Sequence, residues 1–302
     1  MKEAFVGIVL VNYNGAADTI ECIASLKEMT YSNYKIIVVD NGSSDYSLSS
    51  LRDKKKKNDF ELLELTENRG FSAGNNAGIH LALELGVEYI LLLNNDTLVE
   101  PDFLKDLMME AADIPEGSVR TSTILYADDK EKVWYAGGYY DLRTAKVSQA
   151  GMGTLWKPIQ DQPVEVSFIS GCCMCIPAPV VRDIGLLDES YFLYEEDTDY
   201  CQRLQQKGIR LFYVPKAVIY HKVSSSTSKT EKMSGTTQYY MVRNKYFFIK
   251  KYYKGSSKII PYIHTLVMYC YYCIRYGMKI RYIAWGIYDF LNGKMYKTNR
   301  KL

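Results

Sequence analysis

Four apolar runs, each closed by a cluster of Asn, Asp or Gly, mark the first third of the chain. They are residues 4–11 (AFVGIVLV), 35–39 (KIIVV), 60–65 (FELLEL) and 89–93 (YILLL). A continuous apolar run such as 4–11 suits a strand covered on both faces, as in a parallel sheet. Helical signals separate the runs. Asp18 or Thr19 can cap a helix running to about residue 29. Ser72 can cap another, with Ile79, Ala82 and Leu83 on its apolar side and Gly86 as its stop. Pro101 suits the first position of a third. Strand alternating with helix predicts an α/β fold, a mostly parallel sheet flanked by helices with right-handed crossovers.

The rest of the chain is less periodic. Residues 118–170 read as short strands and loops, 197–207 as a short helix closed by Gly208, and 209–214 as a late strand. Residues 236–251 and 258–291 read as helices. The basic run 54–57 reads as a solvated loop. Of the seven cysteines, Cys172 with Cys175 and Cys270 with Cys273 have zinc-like spacing. They sit among Met, Ile, Val and Tyr rather than in Gly-rich knuckles, so buried apolar thiols are the expectation. The odd cysteine count, with no leader-like start and no window apolar enough to span a bilayer, points to a cytoplasmic protein.

Charge is unevenly spread. Residues 232–302 hold 14 Lys and Arg against one acid, Asp289, and 13 of the 27 tyrosines. The remainder holds 23 basic and 34 acidic residues. We therefore divide the chain into a body, 1–231, and a basic, Tyr-rich helical C-terminal extension, 232–302. In the extension Ile263, Leu266, Val267, Cys270, Ile274, Met278 and Tyr282 form one helical stripe, flanked by Lys258, Arg275, Lys279, Arg281 and Lys294. This pattern predicts peripheral contact with the inner face of the cytoplasmic membrane. An arm packed on the sheet, or a homodimer through the C-terminal helices, is the competing expectation. No nucleic-acid partner is expected.

Ligands of an open parallel sheet sit at the carboxyl ends of its strands. Those ends read Asn12-Tyr13-Asn14-Gly15, Asp40-Asn41-Gly42-Ser43, Asn68-Arg69-Gly70 with Gly74 and Asn75 beyond, and Asn94-Asn95-Asp96. Turns also favour such residues, so each cluster alone is weak; four on one edge are stronger. A nucleoside diphosphate suits them. Asp40 can accept from a pyrimidine imide, Arg69 can fork onto a carbonyl or phosphate, and Gly70 and Gly74 allow close backbone approach. Asp96 is a hard oxygen ligand for Mg²⁺ or Mn²⁺. Neither GxGxxG after the first strand nor GxxxxGK[ST] is present, which disfavours dinucleotide and P-loop chemistry.

The ordered runs VNYN (11–14), VVDNGSSD (38–45), NRGFSAGNNAG (68–78), LLLNNDT (91–97) and YFLYEEDTDYCQRL (191–204) resemble family 2 inverting glycosyltransferases with the GT-A, Rossmann-like fold, the bacterial rhamnosyltransferase-like branch above all. The resemblance covers about residues 4–250. It implies transfer of a sugar from a pyrimidine nucleotide-sugar (dTDP-rhamnose or a UDP-hexose) to an acceptor hydroxyl, a glycan or lipid-linked acceptor being expected. It also implies Asn12, Asn14, Asp40, Asn41, Arg69, Gly74, Asn75, Asn95 and Asp96 on the donor, and a metal at the Asp-x-Asp position. Here that element reads Asn94-Asn95-Asp96, which leaves Asp96 as the main ligand.

Four acids crowd residues 195–199 at a helix start, where charge compensation of the helix dipole alone would explain them. The resemblance places the catalytic base at Glu196 and Asp197, and we select Asp197, with Asp199 as the fallback. It also brings His221 to the metal or pyrophosphate, loop packing being the alternative, and sets Trp134, Gly171 and Arg243 on the acceptor side. For Arg243 with Asn244 a structural role competes. His80 reads as structural and His264 as interfacial. Competing functions are nucleotidyl transfer, which wants a basic Gly-rich loop after the first strand, and an inactive sugar-binding protein of the same fold.

Overall fold

The structure is a computed structural model that describes residues 3–56, 60–109, 114–157, 162–223 and 233–302. Its strands are β1 (Val6–Asn12), β2 (Tyr34–Asn41), β3 (Glu61–Leu65), β4 (Tyr89–Asn94), β5 (Thr97–Val99), β6 (Val119–Tyr126), β7 (Val133–Tyr135), β8 (Gly138–Asp141), β9 (Lys146–Gln149), β10 (Val164–Val166), β11 (Cys173–Pro177) and β12 (Leu211–His221). Its helices are α1 (Ala16–Lys27), α2 (Ser47–Lys55), α3 (Gly70–Glu84), α4 (Phe103–Met109), α5 (Ala178–Ile184), α6 (Glu196–Gln206), α7 (Gly235–Tyr252), α8 (Ile259–Tyr276) and α9 (Ile280–Leu291).

All four apolar runs form adjacent parallel strands, in the order β4-β1-β2-β3. Val6, Ile8, Val9 and Leu10 of β1 have no exposed surface, as a strand covered on both faces requires. The sheet continues through β11, antiparallel to β4, into β6 and β12, which are parallel to each other. Glycines let α3 lie close on β1. A Cβ on Gly74 would come within 2.7 Å of Val11 Cγ1, and one on Gly78 would overlap Val9. Gly74 therefore serves helix-on-strand packing, where the sequence suggests approach to a ligand.

Several sequence expectations change. Helix α1 is entered through Gly15 with no side-chain cap, so neither Asp18 nor Thr19 caps it. Lys54 and Lys55 end α2 rather than lying in a loop; Lys57 lies outside the described residues. Pro101 sits in the turn before α4. Within the region read as short strands and loops runs β6, eight residues long and central to the sheet. The expected 258–291 helix breaks at Gly277, whose left-handed backbone (φ 68°) ends α8 and starts the turn to α9. The body–extension boundary at 231/232, and Ser224–Ser226 beside it, fall outside the described residues.

Candidate active site

Register assembles the site. Parallel pairing sets Asn12 beside Asp40 and Val11 beside Asn94, so the ends of β2, β1 and β4 form one edge. A relay of hydrogen bonds runs along it. Asn95 Nδ2 donates to Thr19 Oγ1 (2.8 Å), whose hydroxyl donates to Asn12 Oδ1 (2.9 Å). Asn12 Nδ2 donates to Asp40 Oδ1 (2.7 Å), which also accepts from Ser43 Oγ at 2.7 Å. Asn14 has a left-handed backbone (φ 54°) and accepts from the Ser44 N–H at 2.9 Å. Asn41 bridges onward, accepting from the Arg69 N–H and donating to the Gly70 carbonyl.

Above this edge opens a cavity of about 610 Å³, a size that suits a small-molecule ligand. Tyr13, Asn41, Asn75, Asn95 and Asp96 line one side; Ser170, Gly171, Phe192, Glu196 and Asp197 line another; Trp134, Gln149, His221 and Thr236 complete it. Of the sequence-selected residues, the cavity thus gathers Asn41, Asn75, Asn95, Asp96, Trp134, Gly171, Glu196, Asp197 and His221. Asp40 is not among them. It is fully buried and spends its carboxylate on Asn12 and Ser43, so it builds the rim instead of meeting a base. Asn12 is likewise enclosed. The Arg69 guanidinium pairs with Glu189 (3.2 Å) and does not line the cavity. Gly70, with φ 91°, accommodates the Phe192 backbone, whose carbonyl accepts from the Phe71 N–H at 2.7 Å.

Antiparallel pairing of β5 with β12 sets Thr97 beside His221 and so brings in Asp96. The Asp96 Oδ1 to His221 Nε2 distance is 3.1 Å. Trp134 meets the His221 ring edge-on, centroids 4.6 Å apart, and His221 Nδ1 is buried without a partner. Among the described residues, no group of three or more His, Cys, Asp or Glu converges as a self-sufficient metal site would.

Glu196 and Asp197 open α6. Asp197 accepts from the Gly171 N–H (3.1 Å) and from the Thr198 N–H (2.7 Å). Burial raises its pKa, opposed by those hydrogen bonds. Glu196 is 5% exposed, and its Oε2 has no partner. Burial first, then the Asp197 charge, pushes its pKa well up. Asp199, the fallback base, is wholly buried and held by Arg203 (3.0 Å), Lys251 (2.5 Å), Tyr191 and Tyr252, so it cannot meet an acceptor.

The chain leading into this pair is strained. Phe192, Tyr194 and Glu195 have φ of 64°, 68° and 71°, left-handed values that cost non-glycine residues free energy. Helix α7 holds them there. Asn244 Nδ2 lies 2.7, 2.8 and 2.9 Å from the carbonyls of Tyr191, Leu193 and Tyr194. Arg243 donates to the Tyr191 and Tyr296 carbonyls, and Lys245 pairs with Glu195 at 3.1 Å. Arg243 is fully buried and does not line the cavity, which removes it from the acceptor side and makes it a clamp. Sequence reasoning also missed Gln149, whose Oε1 is buried without a partner, and Thr236. Nothing local marks either residue.

A polar edge of strand ends thus faces a buried acid pair across one cavity. Residues 7–183 match the family Glycosyl transferase family 2, and the chain belongs to that family. It is similar to the low-salt glycan biosynthesis hexosyltransferase Agl10 of Haloferax volcanii, 26% identical over 97% of this chain and 92% of that protein. It is also similar to the dTDP-rhamnosyl transferase RfbF of Shigella flexneri, 24% identical over 80% of this chain and 79% of that one. Among solved structures, the mannosyltransferase PcManGT from Pyrobaculum calidifontis, in complex with GDP-Man and Mn²⁺, shares the fold. Its TM-score is 0.62 at 17% identity, covering 97% of this chain and 88% of that one.

Proposed function

We propose that this protein moves a sugar from a pyrimidine nucleotide-sugar, dTDP-rhamnose or a UDP-hexose, to a hydroxyl of a glycan or lipid-linked glycan, inverting the anomeric carbon. The observation that carries this reading is the buried Glu196–Asp197 pair facing the same cavity as the strand-end edge. Asp197, held by two backbone N–H groups, takes the proton of the acceptor hydroxyl as that oxygen attacks the anomeric carbon. Its raised pKa strengthens it as a base at neutral pH. Direct attack by the acceptor is a single displacement, hence inversion. Trp134 offers a face on which a sugar ring can stack.

Asp96 and His221 fit a divalent cation. One hard oxygen and one imidazole nitrogen lie 3.1 Å apart on the cavity wall, a donor pair that would hold Mg²⁺ or Mn²⁺. Such an ion would neutralise charge on the departing diphosphate. The test is incubation of the purified protein with dTDP-rhamnose and UDP-hexoses, with and without Mn²⁺, following release of dTDP or UDP. Cation-dependent release supports the reading. Turnover of nucleoside triphosphates to pyrophosphate would replace it with nucleotidyl transfer, and full activity in excess EDTA would remove the metal.

A further inference from the structure

Helix α8 is half covered. Its inner side, Pro261, Thr265 and Tyr269, is buried, with Tyr269 donating to the Met241 carbonyl of α7 at 2.9 Å. Its outer side is apolar and faces solvent. Ile259 is 55% exposed, Ile263 58%, Val267 62% and Ile274 88%, with Ile260 and Leu266 also open. These positions recur at three- and four-residue spacing and form one stripe. The stripe expected from the sequence is thereby corrected. Met278 and Tyr282 turn inward beyond the break at Gly277, and Cys270, expected to be a buried thiol, lies exposed on the stripe.

The charges beside this stripe are mostly basic, with one exposed acid of the body, Asp141, near His264 of α8. Lys254, Arg275, Lys279 and Arg281 are exposed around the ends of α8. The single acid of residues 233–302, Asp289, is 2% exposed and neutralised by Arg300 at 2.6 and 2.8 Å. No helix among the described residues is long and apolar enough to cross a membrane. An apolar stripe with a mainly basic rim, too polar to span, matches an in-plane interfacial helix. It does not match a symmetric dimer face, where two basic rims would be brought together.

We propose that α8 docks this protein on an anionic bilayer surface, seating Ile259, Ile263, Val267 and Ile274 among the acyl chains while Arg275 and Lys279 meet anionic headgroups. The same helical unit contributes Thr236 to the cavity, so a membrane-held acceptor would meet the site from this side. The docking itself does not depend on the proposed reaction.

The test is flotation of the full chain with vesicles of phosphatidylcholine alone and with phosphatidylglycerol added. The proposal expects binding to the anionic vesicles, weakened by high salt because the charge contribution is screened. Ile263→Glu with Val267→Glu should weaken that binding about tenfold or more, with nucleotide-sugar turnover in solution unchanged. If that variant folds poorly, Arg275→Glu with Lys279→Glu should abolish the preference for anionic vesicles. Negligible binding to both vesicle types, or equal binding to both, would overturn the proposal. So would a solution dimer that the Ile263/Val267 variant splits, in a protein that ignores vesicles.

Discussion

The two walls of the cavity are built on opposite principles. Along the strand ends, Asn12, Thr19 and Asp40 bond to one another and to Ser43, and the relay reaches Asn95. Across the cavity, Glu196 keeps a buried oxygen without a partner, and three non-glycine residues before it are left-handed. A satisfied network rigidifies without chemical tension and suits binding. A buried acid pair with one oxygen left unpaired, on a strained loop, costs folding free energy and suits reaction, provided something outside the loop holds it. Here α7 holds it, through Asn244, Arg243 and Lys245.

This contrast sets the size and kind of each mutational effect. The largest is expected at the reactive wall. Asp197→Asn should lower turnover about 10²- to 10⁴-fold, the usual range for loss of a general base; steady-state kinetics would show it, and near-normal turnover would remove the assignment. Next comes the clamp. Asn244→Ala leaves the Tyr191, Leu193 and Tyr194 carbonyls short of a donor and should lower kcat about tenfold or more, since small misplacements of reacting groups are costly. Its donor KM should stay near that of the wild type, which separates mispositioning from general damage.

Within the strand-end wall, the buried network behind the cavity should respond mainly in stability. Asp40→Ala leaves one N–H of the buried Asn12 amide without an acceptor, the other keeping Ser43, and should cost about 1–3 kcal/mol in denaturant unfolding. A stable variant with lost nucleotide affinity would instead put Asp40 on the ligand. The smallest effect has the opposite sign. The folded-state pKa of Glu196 is raised, so its contribution favours folding most below the ordinary carboxylate range and is lost as pH rises through the raised value. Glu196→Gln should therefore raise Tm at neutral pH, by about 2–4 °C per kcal/mol recovered. The gain should vanish toward the pH where an unfolded carboxyl protonates; a gain independent of pH would contradict the burial argument.

How much of this was visible in the sequence follows from what each signal consists of. Strands β1, β2 and β4 are uniform apolar runs and could be read directly. Strand β6 (VRTSTILY) could not, because it buries polar residues, some bonded to distant partners and others, Arg120 Nε and Ser122 Oγ, left without one. Arg120 donates to the Leu107 and Met108 carbonyls, Thr121 to Cys173 and Thr123 to Pro215. The acid pair was visible as a cluster, yet the cluster did not say which acid was free. Burial and four partners retire Asp199 only once Lys251 and Tyr252 of α7 are in place. The same holds for Arg69 and Arg243, whose charges suggest ligands while their partners are Glu189 and backbone carbonyls.

The division of labour between the walls is tested most directly by calorimetric titration of a nucleoside diphosphate, UDP or dTDP, with Mn²⁺ into three proteins: wild type, Asp197→Asn and Asp96→Ala. Asp197→Asn should bind within about twofold of the wild type despite its lost turnover, while Asp96→Ala should bind about tenfold or more weakly, the equivalent of about 1.4 kcal/mol. Comparable loss of affinity in Asp197→Asn, or undiminished affinity in Asp96→Ala, would contradict that division.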